Sequence, residues 1–215
     1  MAGTTQPNPA PLYQKTDRWF QRASAALLRE VPCQLGCTSC CIGPFPITIL
    51  DVQTLQEGLA CLPEDQRQRI EQRAIEQTAA METAFPQLTQ TELLDDWSDQ
   101  EIDRLATEFH QHPCPALEAD GGCGLYEHRP LVCRSMGIPT ERDGLAQGAC
   151  EVQIFIPILR LSSSFREEEN RLIQEESAAL DALRLATGSA GEEVFLPYGL
   201  LRRETCEKRE PGQEN

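Results

Sequence analysis

Along the chain, apolar positions fall into runs of helical period, separated by short stretches rich in cysteine and glycine. Between Asp17 and Val31, the residues Trp19, Phe20, Ala23, Ala26 and Leu27 make one apolar stripe of a helix. Pro32 and Gly36 break that pattern. Phe45 to Leu50 then reads as a short strand with Ile47 and Ile49 on one face, and Asp51 is placed to cap a helix running to about Ala60. Pro63 to Ala84 is a further helix with a weaker apolar face. Ser98-Asp99-Gln100-Glu101 is a capping box ahead of Ile102, Leu105, Ala106 and Phe109, an i, i+3, i+4, i+7 stripe. Ser164-Phe165-Arg166-Glu167 is a second box, opening a helix to about Ala186 before Gly188. Val152 to Leu161 alternates like a strand that Pro157 restricts to an edge. Cys114 to Cys133 holds Gly121, Gly122, Gly124 and Pro130 and is expected to be largely loop.

These elements predict a mainly α fold, α+β with a few short strands, its helices packed around a cysteine-rich loop core. A length of 215 residues suffices for one well-buried core. The expected organisation is a single domain over residues 12–202, with an acidic helical insertion at about 63–111. A disordered stretch, 1–11, would precede it and a flexible tail, 203–215, would follow.

Charge narrows the function. A net charge of −15 opposes direct nucleic-acid binding, which needs Lys and Arg to neutralise phosphates. The acidity is concentrated from Ala74 to Asp103, where no Lys or Arg occurs. A solvated acidic face accounts for it most simply, and a docking surface for a basic protein partner is the alternative. Apolar stretches are too short to span a membrane. Met1 to Pro11 lacks the basic and apolar regions of a signal peptide, so a cytoplasmic location is expected.

The ten cysteines carry the chemistry. In a reducing cytosol, cysteines at short spacings are more often metal ligands than disulfides. The first block is Cys33, Cys37, Cys40 and Cys41; the second is Cys114, Cys123, Cys133 and Cys150. Thiolates suit zinc and iron–sulfur clusters, and Cys37-x2-Cys40 can present two sulfurs to one centre. Structural zinc sites usually show two matched Cys-x2-Cys knuckles, and only this one qualifies. The irregular spacing and the adjacent Cys40–Cys41 pair favour an iron–sulfur cluster over Zn2+, in one centre or two. Arg129 and Arg134 flank Cys133, where they either offset thiolate charge or form ordinary salt bridges. His110, His112 and His128 are weak ligand candidates, and Cys61 and Cys206 stand apart from both blocks.

The same residues resemble the YkgJ-like cysteine-cluster family, known for a CxxCxxCC-type motif. The resemblance rests on the first block, Asp51, Cys114-Pro-Ala-Leu117, Cys123 followed by Tyr126 and Arg129-Pro130, and Cys133-Arg134. It spans roughly Cys33 to Cys150 and implies a metal role for all eight clustered cysteines. The family's label names zinc or iron chelation without deciding between them, or whether the protein is an enzyme. Cys33-x3-Cys37-x2-Cys40 also matches the motif of radical S-adenosylmethionine enzymes, but too few strands are expected for their β/α barrel. The remaining alternatives are an iron–sulfur-dependent enzyme similar to the flagellin lysine methylase, and a structural zinc module for protein–protein contact.

Overall fold

Helix α1 (Ala10–Ala26) starts earlier than its stripe predicts. Pro11 sits in its first turn, where the missing N–H has no helical partner to lose, and Leu12 and Tyr13 extend the buried face toward the N-terminus. The computed structural model describes residues 10–27, 37–142, 145–148 and 160–202. Strand β1 (Pro46–Thr48) leads directly into α2 (Ile49–Cys61), followed by α3 (Glu64–Ala84) and α4 (Asp99–Glu108). Then come the short α5 (Leu131–Ser135), the hairpin β2 (Thr140–Arg142) and β3 (Leu145–Gln147), the long α6 (Ser163–Thr187), β4 (Glu193–Phe195) and α7 (Leu196–Leu201). The fold is mainly helical with few short strands, as the periodicity predicts. The N-terminal stretch before Ala10, the tail after Arg202, and most of the expected strand Val152–Leu161 lie outside the described residues.

Two expected caps are placed differently. Thr48, not Asp51, is the N-cap of α2; Asp51 is its third helical residue and completes a capping box with Thr48. Helix α6 begins at Ser163 behind Ser162, so Ser164 lies inside its first turn and the box starting there does not form. The reason is tertiary: the Trp19 indole donates to the Phe165 carbonyl at 3.1 Å, holding that turn against α1. Gly188 ends α6 in the left-handed conformation, with φ of 68°. The box at Ser98 forms as read.

β1 pairs antiparallel with β4, Ile47 opposite Val194, and each strand passes straight into a helix. Helices α2, α3 and α7 pack together there, burying Val52, Leu55, Ile70, Met81, Phe195 and Leu200. The acidic stretch belongs to this arrangement. Asp95 accepts from the Glu192 amide at 2.8 Å, Glu82 from the Tyr198 hydroxyl at 3.4 Å, and Glu92 pairs with Arg202 at 3.4 Å. These internal uses leave Asp96, Asp99 and Asp103 exposed. On the other side of α2, Ile49 and Leu50 join Leu12, Leu131 and Leu183 in a second core beneath α1 and α6. α2 is thus buried on two sides.

Asp51 sits between these cores, 2% exposed. One carboxylate oxygen accepts from the Tyr13 hydroxyl at 2.8 Å and the Leu131 amide at 2.9 Å, and the other from the Thr48 amide at 3.4 Å. Burial pushes this carboxyl upward, and the hydrogen bonds from Leu131, Tyr13 and Thr48 pull it back. Asp51→Ala leaves the Tyr13 hydroxyl and Leu131 amide without an acceptor and is expected to cost about 3 kcal/mol. Asp51→Asn keeps one oxygen and is expected to cost less. Urea unfolding monitored by circular dichroism measures both, and an alanine variant as stable as the wild type would contradict this role.

Candidate metal centre

The first cysteine block, where described, is a single 3-10 turn, Ser39–Cys41, with the Cys41 amide donating to the Thr38 carbonyl at 2.8 Å. The chain then runs alongside the start of the second block. The Cys114 amide donates to the Cys41 carbonyl at 2.7 Å, and the Gly43 amide to the His112 carbonyl at 2.7 Å. Gly43 makes this turn at φ of 86°, a region that disfavours side chains. A two-bond ladder of backbone therefore brings Cys41 and Cys114 together from distant parts of the sequence.

The second block folds into a turn and a tight hairpin. The Leu117 amide donates to the Cys114 carbonyl at 2.9 Å. The Gly124 amide then donates to Ala116 and the Glu118 amide to Gly122, both at 2.8 Å, with Gly121 at φ of 82° between them. This sets Cys123 opposite Leu117. Cys133 rides on α5, whose first amide is the Leu131 N–H held by Asp51.

A second aspartate secures the other side of Cys133. Arg134, 4% exposed, pairs with Asp17 of α1 and donates to the Arg129 and Glu127 carbonyls. Arg129 reaches the other oxygen of Asp17 at 2.8 Å and stacks over the Tyr126 ring at 4.0 Å. Both arginines are thus structural salt-bridge partners, and Arg129 also favours the thiolate of Cys123. Gly58 lets α2 approach this segment closely: a Cβ there would stand 2.6 Å from that of His128.

The sulfurs act on one another. Burial raises Cys133 well above its usual range, and Cys114, Cys40 and Cys123 raise it further. Burial also pushes Cys114 up to about 12 and raises Cys123, with Cys123 acting on Cys114 and Cys40 on Cys123. Cys41 donates a hydrogen bond to Cys40, holding the Cys40 thiol down at about 6 while the Cys41 thiol rises. Cys40, Cys41, Cys114, Cys123 and Cys133 therefore form one electrostatic set. Cys37 is half-buried, its Sγ 4.0 Å from the Ser39 hydroxyl. Cys33 and Cys150 lie outside the described residues, as does Cys206; Cys61 is exposed at the end of α2.

Among the described residues, no three His, Cys, Asp or Glu side chains stand in a ready metal-holding arrangement. The donor chemistry nevertheless fits a thiophilic metal. Five thiols share a desolvated site where each ionisation penalises the next, and a bound cation reverses that penalty. The histidines are placed elsewhere in role: His110 Nδ1 lies 2.7 Å from the Thr107 carbonyl, and His112 packs its ring on Phe109.

Sequence reasoning missed Asp17, Tyr13 and the partnership of Asp51 with Leu131. The Cys133-Arg134 dipeptide signals that an acid is needed, but not which of the 34 acidic residues supplies it.

A family model, CxxCxxCC, described as "Putative zinc- or iron-chelating domain", matches residues 32–151. No curated protein and no solved structure matches the chain.

Burial raises the Cys114 and Cys133 thiols, so a metal held by them would displace their protons. Net proton release is expected on metal addition at pH 7, with affinity falling as pH is lowered. Calorimetric titration in two buffers of different ionisation enthalpy measures the release; binding without it would contradict thiolate ligation at this site.

Proposed function

Because the chain belongs to the CxxCxxCC family, its match covering all eight clustered cysteines, we propose that the two cysteine loops close on a thiolate-bound iron–sulfur cluster. The observation that carries this reading is the backbone ladder joining Cys41 to Cys114, which sets the end of the first block beside the start of the second. Cys40, Cys114, Cys123 and Cys133 supply the core ligand set, since Cys40, Cys114 and Cys123 all act electrostatically on Cys133. Cys41 keeps its own proton and donates it to the Cys40 thiolate until metal arrives, and Cys33, Cys37 and Cys150 complete the supply of thiolates. A bound cluster would bring one-electron redox chemistry to the site.

The chain's own residues do the remaining work. Asp51 fixes the first turn of α5, so Cys133 is presented in one orientation. Asp17 fixes Arg134 and Arg129, and Arg129 offsets residual negative charge beside Cys123. Leu125 and Ala116, both buried, exclude water next to Cys123 and Cys114. The described cysteines are all unpaired thiols, which suits the reducing cytoplasm in which we place the protein. No described helix is long and apolar enough to cross a membrane.

A structural zinc site is the second reading, because the same four thiols also satisfy a tetrahedral zinc ion. Metal, acid-labile sulfide and absorbance analysis of protein purified without oxygen separates the two. Matched iron and sulfide with a brown colour is expected; colourless protein with stoichiometric zinc establishes the second reading instead. Cys114→Ser and Cys133→Ser are each expected to lose the metal and several kcal/mol of stability together. Cys61→Ser, at an exposed position, should retain both. Unchanged metal content in the first two variants would sink the proposed site.

A further inference from the structure

A cavity of about 340 Å³ opens between α1, β1, α5 and α6, within the range of small-ligand pockets. Leu12 and Trp19 of α1, Leu131 and Val132 of α5, and Leu172 and Ile173 of α6 form its apolar walls. Asp51, Glu169, Glu176 and Glu193 also line it, and no Lys, Arg or His does. Two of these carboxylates are already satisfied. Asp51 is bonded to Tyr13 and Leu131, and Glu169 pairs with Arg166 at 2.7 Å.

Glu176 is different. It has no hydrogen-bond or ion-pair partner among the described residues, and the charged groups acting on it are Asp51 of α2 and Glu193 of β4, both negative. Burial first, then these two charges, pushes its carboxyl up to about 7. A mostly buried carboxylate without a counter-charge is costly, and a cationic ligand relieves that cost. The apolar walls decide which cation. A divalent metal needs several oxygen ligands to replace its water shell, whereas of the oxygen-bearing side chains lining the cavity Thr16, Thr48, Asp51, Ser135 and Glu169 are already engaged within the chain, and the rest of the wall is largely apolar. An ammonium group on a hydrocarbon chain meets both halves of the cavity.

We propose that this cavity binds a small aliphatic amine, its ammonium group at Glu176 and Glu193 and its alkyl chain along the walls of α5 and α6. The site is independent of which metal the cysteine loops hold, or whether they hold one.

The test is calorimetric titration of the full chain, as purified, with n-hexylammonium at pH 8, with 1-hexanol and hexanoate as controls. Fluorescence of Trp19 on the cavity wall supplies a second readout. Saturable binding of the amine is expected, roughly tenfold or more tighter than that of the alcohol, with none of hexanoate. Glu176→Gln should weaken the amine by about tenfold and leave the alcohol unchanged. This variant removes an uncompensated charge, so at pH 8 its thermal stability should equal or exceed that of the wild type. A carboxyl whose folded-state value is raised takes up a proton as pH falls, so amine binding should also weaken below about pH 7. Equal affinity for amine and alcohol, or an amine affinity indifferent to Glu176→Gln, would overturn the proposal. Displacement of the amine by equimolar Mg2+ or Ca2+ would overturn it in favour of a metal site.

Discussion

The Asp51 carboxylate is the point through which α1, β1, α2 and α5 are tied. Three donors converge on it, the Tyr13 hydroxyl, the Leu131 amide and the Thr48 amide, each from a different stretch of chain. Taking a carboxylate out of water is unfavourable unless its lone pairs are met. Here the compensation comes from groups that are themselves structural: a helix N-cap, a helix start and an anchoring phenol. Both hydrophobic cores meet at α2, with Ile49 and Leu50 on one side and Val52, Leu55 and Leu59 on the other. The packing around Asp51 therefore positions the helix bearing Cys133 before any sulfur chemistry is considered.

The cysteine site follows from that frame by a division of labour. Backbone hydrogen bonds bring the blocks together, and two aspartates from the helical scaffold hold the second block in place. Asp17 does so through Arg129 and Arg134, and Asp51 through Leu131. The thiols themselves contribute no cohesion without a cation, since burial and mutual charge raise most of them. A scaffold that assembles mutually repelling thiols would gain folding free energy from a metal bound to them. The Cys40–Cys41 pair eases this by sharing one proton.

Negative charge is used in three distinct ways in this acidic chain. Asp95, Glu101 and Asp51 satisfy backbone amides. Asp17, Glu92 and Glu169 pair with arginines. Glu176 alone among these is left without either kind of partner among the described residues, at the wall of a cavity with an apolar body. The contrast makes the cavity stand out from the general acidity.

The sequence by itself determined the helices from α2 to α4, most of α6, the predominance of helix, and the two cysteine blocks with their family. These depend on local physics: apolar period, the Ser98 box, and thiol spacing all act within a few residues. The start of α1, the N-cap of α6, the β1–β4 pairing and the buried α7 were decided by tertiary contacts. Glu193 to Phe195 is too short to show a period and becomes a strand only because Ile47 lies opposite Val194. The site divides in the same way. Which residues can offer sulfur is legible from spacing, but Asp17, Tyr13 and Leu131 are chosen by long-range packing. A charged or polar side chain carries no mark of its partner in the sequence; only the folded chain selects which donor and acceptor meet out of water.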